Sequence, residues 1–354
     1  AKGMELHIWM NPLRVGSATG TYASNHPAVL HPTWYSTYNN VRYWNPGLPE
    51  VRQFLVDVVR EVVRKYDVDG VHFDDYFYPD GLKTSAGTWD DSQAFALYGN
   101  GLTLNQWREK NIDLMVQQIY EGVKAEDTKV LFGISPSGQI ANALALYANP
   151  VTWLKNKWVD YLAPQMYWQI GHSTADFGAL ASYWNANSNG VSIIPGLAAY
   201  RLGESGFPNI SEFLNEVNLT RSYSTMKGNC WFRTQFIVST SEVGLNTVSF
   251  NTYLKTQIYK NKTLVPKLGV NSQTVPSAPV VALVNKTISW AAVSGATGYA
   301  VYKIERSGTS VNWTPTLLYN GSNLSYTGES GSNYIVIAYN GREKSEYQKV
   351  VYIK

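Results

Sequence analysis

Along the first three quarters of the chain, short apolar runs alternate with longer stretches in which apolar positions recur every third or fourth residue. The runs Met4-Glu-Leu-His-Ile-Trp-Met10, Val68 to Phe73, Lys129-Val-Leu-Phe-Gly-Ile134, Val159 to Pro164, Val191 to Pro195 and Asn229-Cys-Trp-Phe232 read as strands. Between the first two, Val51, Phe54, Leu55, Val58, Val59, Val62, Val63 and Tyr66 trace one face of a helix that Pro49 can open in its first turn. Leu104, Trp107, Ile112, Met115, Val116, Ile119 and Val123 carry a second helix, and a third runs from about Ile210 to Tyr223 after Pro208. Strand-helix alternation of this kind predicts an α/β fold with a parallel sheet wrapped by helices.

Two parallel architectures compete, an open doubly wound sheet and a closed barrel. No glycine-rich phosphate loop follows a strand. Polar and aromatic residues follow nearly all of them: Asn11 and Arg14, Asp74 to Tyr78, Ser135 to Ser137, Gln165 to Trp168, Tyr200 and Arg201, and Arg233 to Gln235. Chemistry loaded onto the C-terminal end of each strand predicts a (β/α)8 TIM-type barrel. The pattern yields six units rather than eight, and a barrel without two of its strands would carry two raw edges. The first two β/α units are therefore expected upstream of Ala1 or from another chain.

The helical period ends near Val265, where a Pro, Ser and Asn-rich stretch begins. The expected organisation is a barrel over 1–268, a linker over 269–276 and a second domain over 277–354. In the last of these, Thr287 to Trp290, Gly298 to Lys303, Leu317 to Tyr319, Asn333 to Tyr339 and Lys349 to Ile353 alternate like strands separated by turns, around a core Trp290. That pattern predicts a small all-β sandwich.

Composition narrows the partners. Among 354 residues, 29 basic and 26 acidic side chains leave a net charge of +3, which argues against nucleic acid or an anionic membrane as partner. No apolar run reaches the roughly 18 residues of a transmembrane segment, and no signal peptide is visible. The 12 Trp and 25 Tyr suit a neutral polymer, because flat amphipathic rings pack on the apolar faces of sugars. Cys230 is the single cysteine, which excludes an internal disulfide; its neighbours place it on a strand as an inert core thiol.

The chemistry concentrates in Asp69-Gly-Val-His-Phe-Asp-Asp-Tyr-Phe-Tyr-Pro79, where a strand ends in two adjacent carboxylates among aromatic rings. Cleavage of a glycosidic bond needs carboxylates beside sugar-stacking surfaces. Side chains alternate along a strand, so His72, Asp74 and Tyr76 share one face while Phe73 and Asp75 share the other. If His72 and Asp74 face the barrel interior, Asp74 sits at its mouth, and desolvation among Phe73, Tyr76, Phe77 and Tyr78 favours the protonated form that a general acid needs. The expected reaction is hydrolysis of an oligosaccharide or polysaccharide by carboxylate catalysis, without metal or cofactor. A glycosidase normally pairs two carboxylates, about 5 to 5.5 Å apart for retention and about 6.5 to 9.5 Å for inversion. Asp75, Glu204 in the loop Tyr200-Arg-Leu-Gly-Glu204, and an upstream strand are the three sources of the partner. Asn11, Arg14, Gln165, Arg201 and Gln235 offer hydrogen bonds to sugar hydroxyls, Tyr167, Trp168 and Tyr200 offer stacking faces, and His72 and Tyr76 flank the carboxylates.

From Ala1 to about Leu268, several of these stretches together resemble the glycosyl-hydrolase-like family 10 barrels. The likeness is carried by His7-x-Trp-x-Asn-Pro-x-Arg14, His26-Pro-Ala-Val-Leu-His31, Asn45-Pro-Gly-Leu-Pro-Glu-Val-Arg52, the aspartate motif, Phe132-Gly-Ile-Ser-Pro136 and Trp158-Val-Asp-Tyr-Leu-Ala-Pro-Gln-Met-Tyr-Trp168. It implies a barrel that begins with two further strands and extracytoplasmic work on a glycan, with bacterial cell-wall strands among the substrates. Asp69 to Tyr76 and Gln165-Met-Tyr167 are also similar to motifs of family 18 chitinases, but Tyr76 stands where the chitinase acid glutamate belongs and His72 replaces an aspartate. Substrate-assisted chitinase chemistry therefore does not carry over. The C-terminal order Ile-Ser-Trp290, Gly-Ala-Thr-Gly-Tyr299 and Tyr-Ile-Val-Ile-Ala-Tyr-Asn-Gly341 looks like a fibronectin type III module.

Two other readings stay open. A metal-dependent carbohydrate esterase could use an Asp-Asp pair with two histidines, but His26 and His31 are five apart with Pro27 and Pro32 breaking regular structure around them. A non-catalytic glycan-binding protein would keep the cleft and lose the chemistry.

Overall fold

A computed structural model describes residues 4–85, 87–238, 247–269, 274–306 and 313–354. Residues 270–273 of the expected linker lie outside the described residues. The chain divides into two compact units, Ala1–Thr247 with Leu268–Val270, and Val248–Lys267 with Asn271–Lys354. The segment 248–267, assigned from sequence to the barrel, thus groups with the C-terminal unit. Leu264 explains this by packing on Ala300 and Leu317, and Lys267 pairs with Glu343 at 2.8 Å.

The first unit is mixed α/β. Its strands are β1 (His7–Met10), β2 (Arg14–Ser17), β3 (Tyr35–Tyr38), β4 (Val41–Trp44), β5 (Gly70–Phe73), β6 (Leu131–Ile134), β7 (Tyr161–Leu162), β8 (Ser192–Ile193), β9 (Gly196–Leu197) and β10 (Cys230–Trp231). A parallel sheet runs β1-β5-β6-β7-β8. It continues through the parallel pair β9-β10, which joins at the Gln165–Gly196 bridge. All six predicted runs therefore contribute strands to one curved parallel surface. Among the described strands, β1 pairs only with β5 and β10 only with β9, so the surface does not close. The rings of Trp9 in β1 and Phe232 after β10 nonetheless meet across the gap, 6.4 Å between centroids.

Register assigns the two faces. Trp9 stands beside His72, His72 beside Gly133, Gly133 beside Tyr161 and Tyr161 beside Ser192, so these side chains share one face. Only glycine fits at 133, because a Cβ there would run into the Tyr161 ring. Val71, Phe73, Phe132, Ile134, Leu162 and Ile193 alternate onto the opposite face and are buried. The helix Pro49–Lys65 buries Val51, Leu55, Val56, Val59 and Val63, while Tyr66 is exposed. The helix Leu104–Glu126 opens with a capping box between Thr103 and Gln106 and buries Trp107 through Val123 as its periodicity predicts. Cys230 corrects an expectation. It is exposed, because it falls in register with Gly196 and Gln165 on the concave face of a strand that no described strand flanks on its outer side.

Sequence periodicity missed the antiparallel sheet β2-β4-β3, inserted between β1 and the first long helix. Its hairpin turns at Asn39 and Asn40, both at positive φ (45° and 62°), a backbone state asparagine tolerates in two-residue hairpins.

Beyond the helical segments Thr247–Tyr253 and Leu254–Ile258, the second unit is all-β. Its strands β11 (Val281–Val284), β12 (Thr287–Trp290) and β15 (Ser325–Thr327) form one antiparallel sheet, and β13 (Gly298–Arg306), β14 (Trp313–Gly321), β16 (Ser332–Asn340), β17 (Glu343–Lys344) and β18 (Val351–Ile353) form another. Val281, Ile288 and Trp290 of the first share a core with Tyr299, Val301, Tyr334, Val336 and Ile353 of the second.

One buried group gives a stability prediction. Glu216, in the helix Ser211–Arg221, is buried with neither carboxyl oxygen hydrogen-bonded; burial, with a smaller push from Glu212, raises its pKa to about 9. A carboxyl raised above its unfolded value binds its proton more tightly in the native state. Its contribution is complete below about pH 4.5 and is lost as pH rises toward 9. Glu216→Met should flatten that decline, gaining on the order of a few kcal/mol at pH 8. Urea unfolding from pH 5 to 9 tests this, and parallel curves for variant and wild type would refute it.

Candidate active site

β5 delivers Phe73 into the core and Asp74 onto the concave face above His72. Asp74 is only 6% exposed. Its Oδ2 accepts from the Trp9 indole at 3.0 Å and its Oδ1 from the Tyr76 backbone N–H at 3.2 Å. Burial pushes the carboxyl up to about 6, against the pull of those two bonds and with help from the Asp75 charge. Asp75 is half-buried. Burial raises it too, while a hydrogen bond from the Gln165 side chain opposes the rise. The Gln165 amide also donates to the Ser135 carbonyl at 3.0 Å, which fixes its orientation.

Asp75 opens into a cleft of about 560 Å³. Tyr43, Tyr76, Phe77, Tyr78, Asp80 and Gln165 line it, with Ser137, Asn142 and Leu146. Two of the expected desolvating rings do otherwise: Phe77 also packs on Trp153, 5.3 Å between centroids, and Tyr78 on Tyr147 at 5.2 Å. They build the cleft wall, whereas the ring that touches the Asp74 carboxyl is that of Trp9. Tyr76 influences Asp74 through its backbone N–H, and its ring lies under the Arg14 guanidinium at 5.6 Å. Arg14 is paired with Tyr43 in the β2-β4 ladder, so the inserted sheet supplies one rim of the cleft.

Beneath Asp74, the Tyr161 hydroxyl lies 2.9 Å from His72 Nδ1 and 2.8 Å from His7 Nδ1. One hydroxyl proton cannot serve both, so one ring nitrogen must donate. Burial lowers His72 to about 4, with His7 adding to the effect, which keeps the His72 ring neutral. His72 thus braces the floor.

The other predicted residues spread around this centre. Asn11 accepts from the Arg14 N–H at 3.1 Å, locking the turn after β1. Tyr167, Tyr200 and Phe232 form a ring cluster, with centroids 5.9 to 6.1 Å apart. Arg201 donates to the Tyr167 carbonyl at 2.7 Å and pairs with Glu204 at 2.9 Å. Glu204 is 52% exposed and does not line the Asp75 cleft. Trp168 is half-buried, 6.4 Å from His172, and Gln235 is half-buried in the short helix Thr234–Val238. His26 caps the helix Pro27–Leu30 and His31 stacks on Trp34 at 3.8 Å. Among the described residues, no group of three or more His, Cys, Asp or Glu is placed to hold a metal ion.

Trp9, Tyr43, Asp80 and Asn142 were missed from sequence. The signal for Trp9 was available: two residues after His7 on a strand, it shares the face that β5 gives to His72 and Asp74. Tyr43 required the Asn-Asn turn to be read as a hairpin.

With this geometry in place, the family profile described as Glycosyl hydrolase-like 10 matches residues 1–212, more than half of the chain. The chain belongs to the glycosyl hydrolase-like 10 family. Within the family and its relatives, it is 32% identical over 304 residues to glycosyl hydrolase YngK of Bacillus subtilis strain 168, covering 78% of this chain and 58% of that protein. It is 29% identical over 273 residues to glycosyl hydrolase DigH of Escherichia coli K12, covering 67% of this chain and 62% of that protein. The chain therefore spans about three fifths of the length of these curated relatives. Among solved structures it is similar to chitinase ChiA74 from Bacillus thuringiensis, with 12% identity, a TM-score of 0.41, and coverage of 86% of this chain and 62% of that one.

Proposed function

We propose that the chain is a glycoside hydrolase that cleaves a neutral or cell-wall polysaccharide, with Asp74 as the proton donor and Asp75 as the carboxylate that faces the developing positive charge. One observation carries the reading: adjacent carboxyls at the end of a parallel strand sit in different environments, Asp74 raised to about 6 by burial and Asp75 held by Gln165 at the wall of an aromatic cleft. Burial raises both, but the bond from Gln165 favours the charged form of Asp75, which suits it to the carboxylate role. Tyr43 and Tyr76 give sugar rings apolar faces to pack on, and Asn142 and Asp80 give their hydroxyls partners.

The six parallel strand positions and the Trp9–Phe232 contact support a (β/α)8-type barrel. The two sheets around Trp290 support a fibronectin type III-like spacer over 277–354. We place the activity outside the cytoplasm, on the strength of the family likeness; fractionation of the producing cells tests it.

The assignment is tested by incubating the protein with a panel of cell-wall and plant glycans and weighing the products by mass spectrometry. Hydrolysis should add water across a glycosidic bond, and kcat/KM should fall as pH rises through about 6, where Asp74 gives up its proton. Cleavage that stays flat to pH 8 would remove Asp74 as the acid.

A further inference from the structure

Trp9 combines two properties that rarely coincide. Its indole N–H is bonded to a buried carboxylate at 3.0 Å, yet the residue is 60% exposed. A tryptophan that served only as structural support would bury its ring, since the ring carries most of its hydrophobic surface. Here the ring lies on the face shared with His72, on the edge strand β1, which no described strand flanks on its outer side. It makes an edge contact with Phe232 at 6.4 Å, and Phe232 lies nearly parallel to Tyr167 at 5.9 Å, so three rings extend from Asp74 across the opening between β1 and β10.

We propose that Trp9 is a positioning residue with two tasks: its N–H fixes the Asp74 carboxyl, and its exposed face receives a sugar ring of the glycan whose bond Asp74 protonates. The second task rests on the glycosidase reading; the first does not. The logic is geometric. With Oδ2 held by Trp9 and Oδ1 by the Tyr76 N–H, the carboxyl cannot rotate freely, so its proton is presented in one direction. A sugar stacked on the same indole would be placed by the group that orients the acid. The charged and titratable groups around Asp74 are Asp75, next in the chain, and His72, two residues earlier on the same face, which meets His7 through the Tyr161 hydroxyl.

Trp9→Phe keeps a ring and removes the N–H, whereas Trp9→Ala removes both. In protein carrying ¹³C-labelled aspartate, with the Asp74 signal assigned by its loss in Asp74→Asn, Trp9→Phe should shift the Asp74 midpoint upward by roughly half a unit or more, because a bond to the charged form is gone. Titration calorimetry with the hexamer of β-1,4-linked N-acetylglucosamine should show binding near wild type for Trp9→Phe and weakened about tenfold for Trp9→Ala. An unmoved midpoint in folded Trp9→Phe overturns the orienting task, and unchanged binding by Trp9→Ala overturns the stacking task. Hydrolysis by Asp74→Asn, measured in parallel, reports on the glycosidase reading by itself, since neither the midpoint nor the binding comparison depends on turnover.

Discussion

Asp74→Asn is expected to lower kcat/KM for glycan hydrolysis by roughly 10²–10⁴-fold while changing glycan affinity less than about threefold. An amide keeps the shape of the side chain and has no acidic proton to deliver to the leaving oxygen. Two stability effects oppose each other in this variant. The buried carboxyl no longer resists ionisation at neutral pH, which stabilises, but the Trp9 and Tyr76 N–H groups now face a side chain with one acceptor oxygen instead of two. The net change should stay within roughly 1 kcal/mol, so lost activity can be separated from lost fold by thermal melting. Product release at the wild-type rate from a folded Asp74→Asn would end the assignment of this residue as the acid.

The same residue shows what the sequence could and could not convey. The apolar runs around 4–10, 68–73 and 129–134 were legible as strands because strand period and burial agree there, and β5 then placed His72 and Asp74 on one face by alternation alone. What surrounds Asp74 was not legible. Its indole partner comes from 65 residues earlier, a pairing set by register between two strands. The cleft rim comes from a hairpin whose turn is two asparagines rather than the more telling Asn-Gly. Glu204 shows the reverse failure: a glutamate in a loop after a strand looked available, but a local partner three residues away, Arg201, holds it at the surface. Pairwise contacts within a turn are settled by short-range geometry that composition does not reveal. Cys230 was misjudged for a third reason, because burial of a strand residue depends on its neighbours in the sheet and not on its own apolar surroundings in sequence.

Arg108→Leu is expected to cost about 3–5 kcal/mol, the largest stability loss of any single change proposed for this chain. Arg108 is nearly fully buried and grips Asp91 through two parallel bonds of 2.8 Å, Nε to Oδ2 and Nη2 to Oδ1, while Nη1 donates to the Tyr147 hydroxyl at 3.0 Å. The Tyr147 hydroxyl in turn donates to Asn105 Oδ1 at 2.9 Å. Removing the guanidinium leaves a buried carboxylate without its counter-charge, and lysine cannot reproduce the planar fork, so Arg108→Lys should also lose stability. The effect should reach the cleft. Tyr147 sits at φ 58°, a region a bulky residue seldom occupies, and its ring supports Tyr78, which lines the wall with Leu146. Once its hydroxyl loses one of its two partners, Tyr147 has less to hold that backbone state, and glycan affinity should weaken even at temperatures where the variant stays folded. The double change Arg108→Leu with Asp91→Leu should recover much of the stability, because it removes the orphaned charge along with its partner. Urea denaturation of both single variants and the double variant measures the coupling; losses that simply add would mean the pair contributes packing rather than mutual neutralisation.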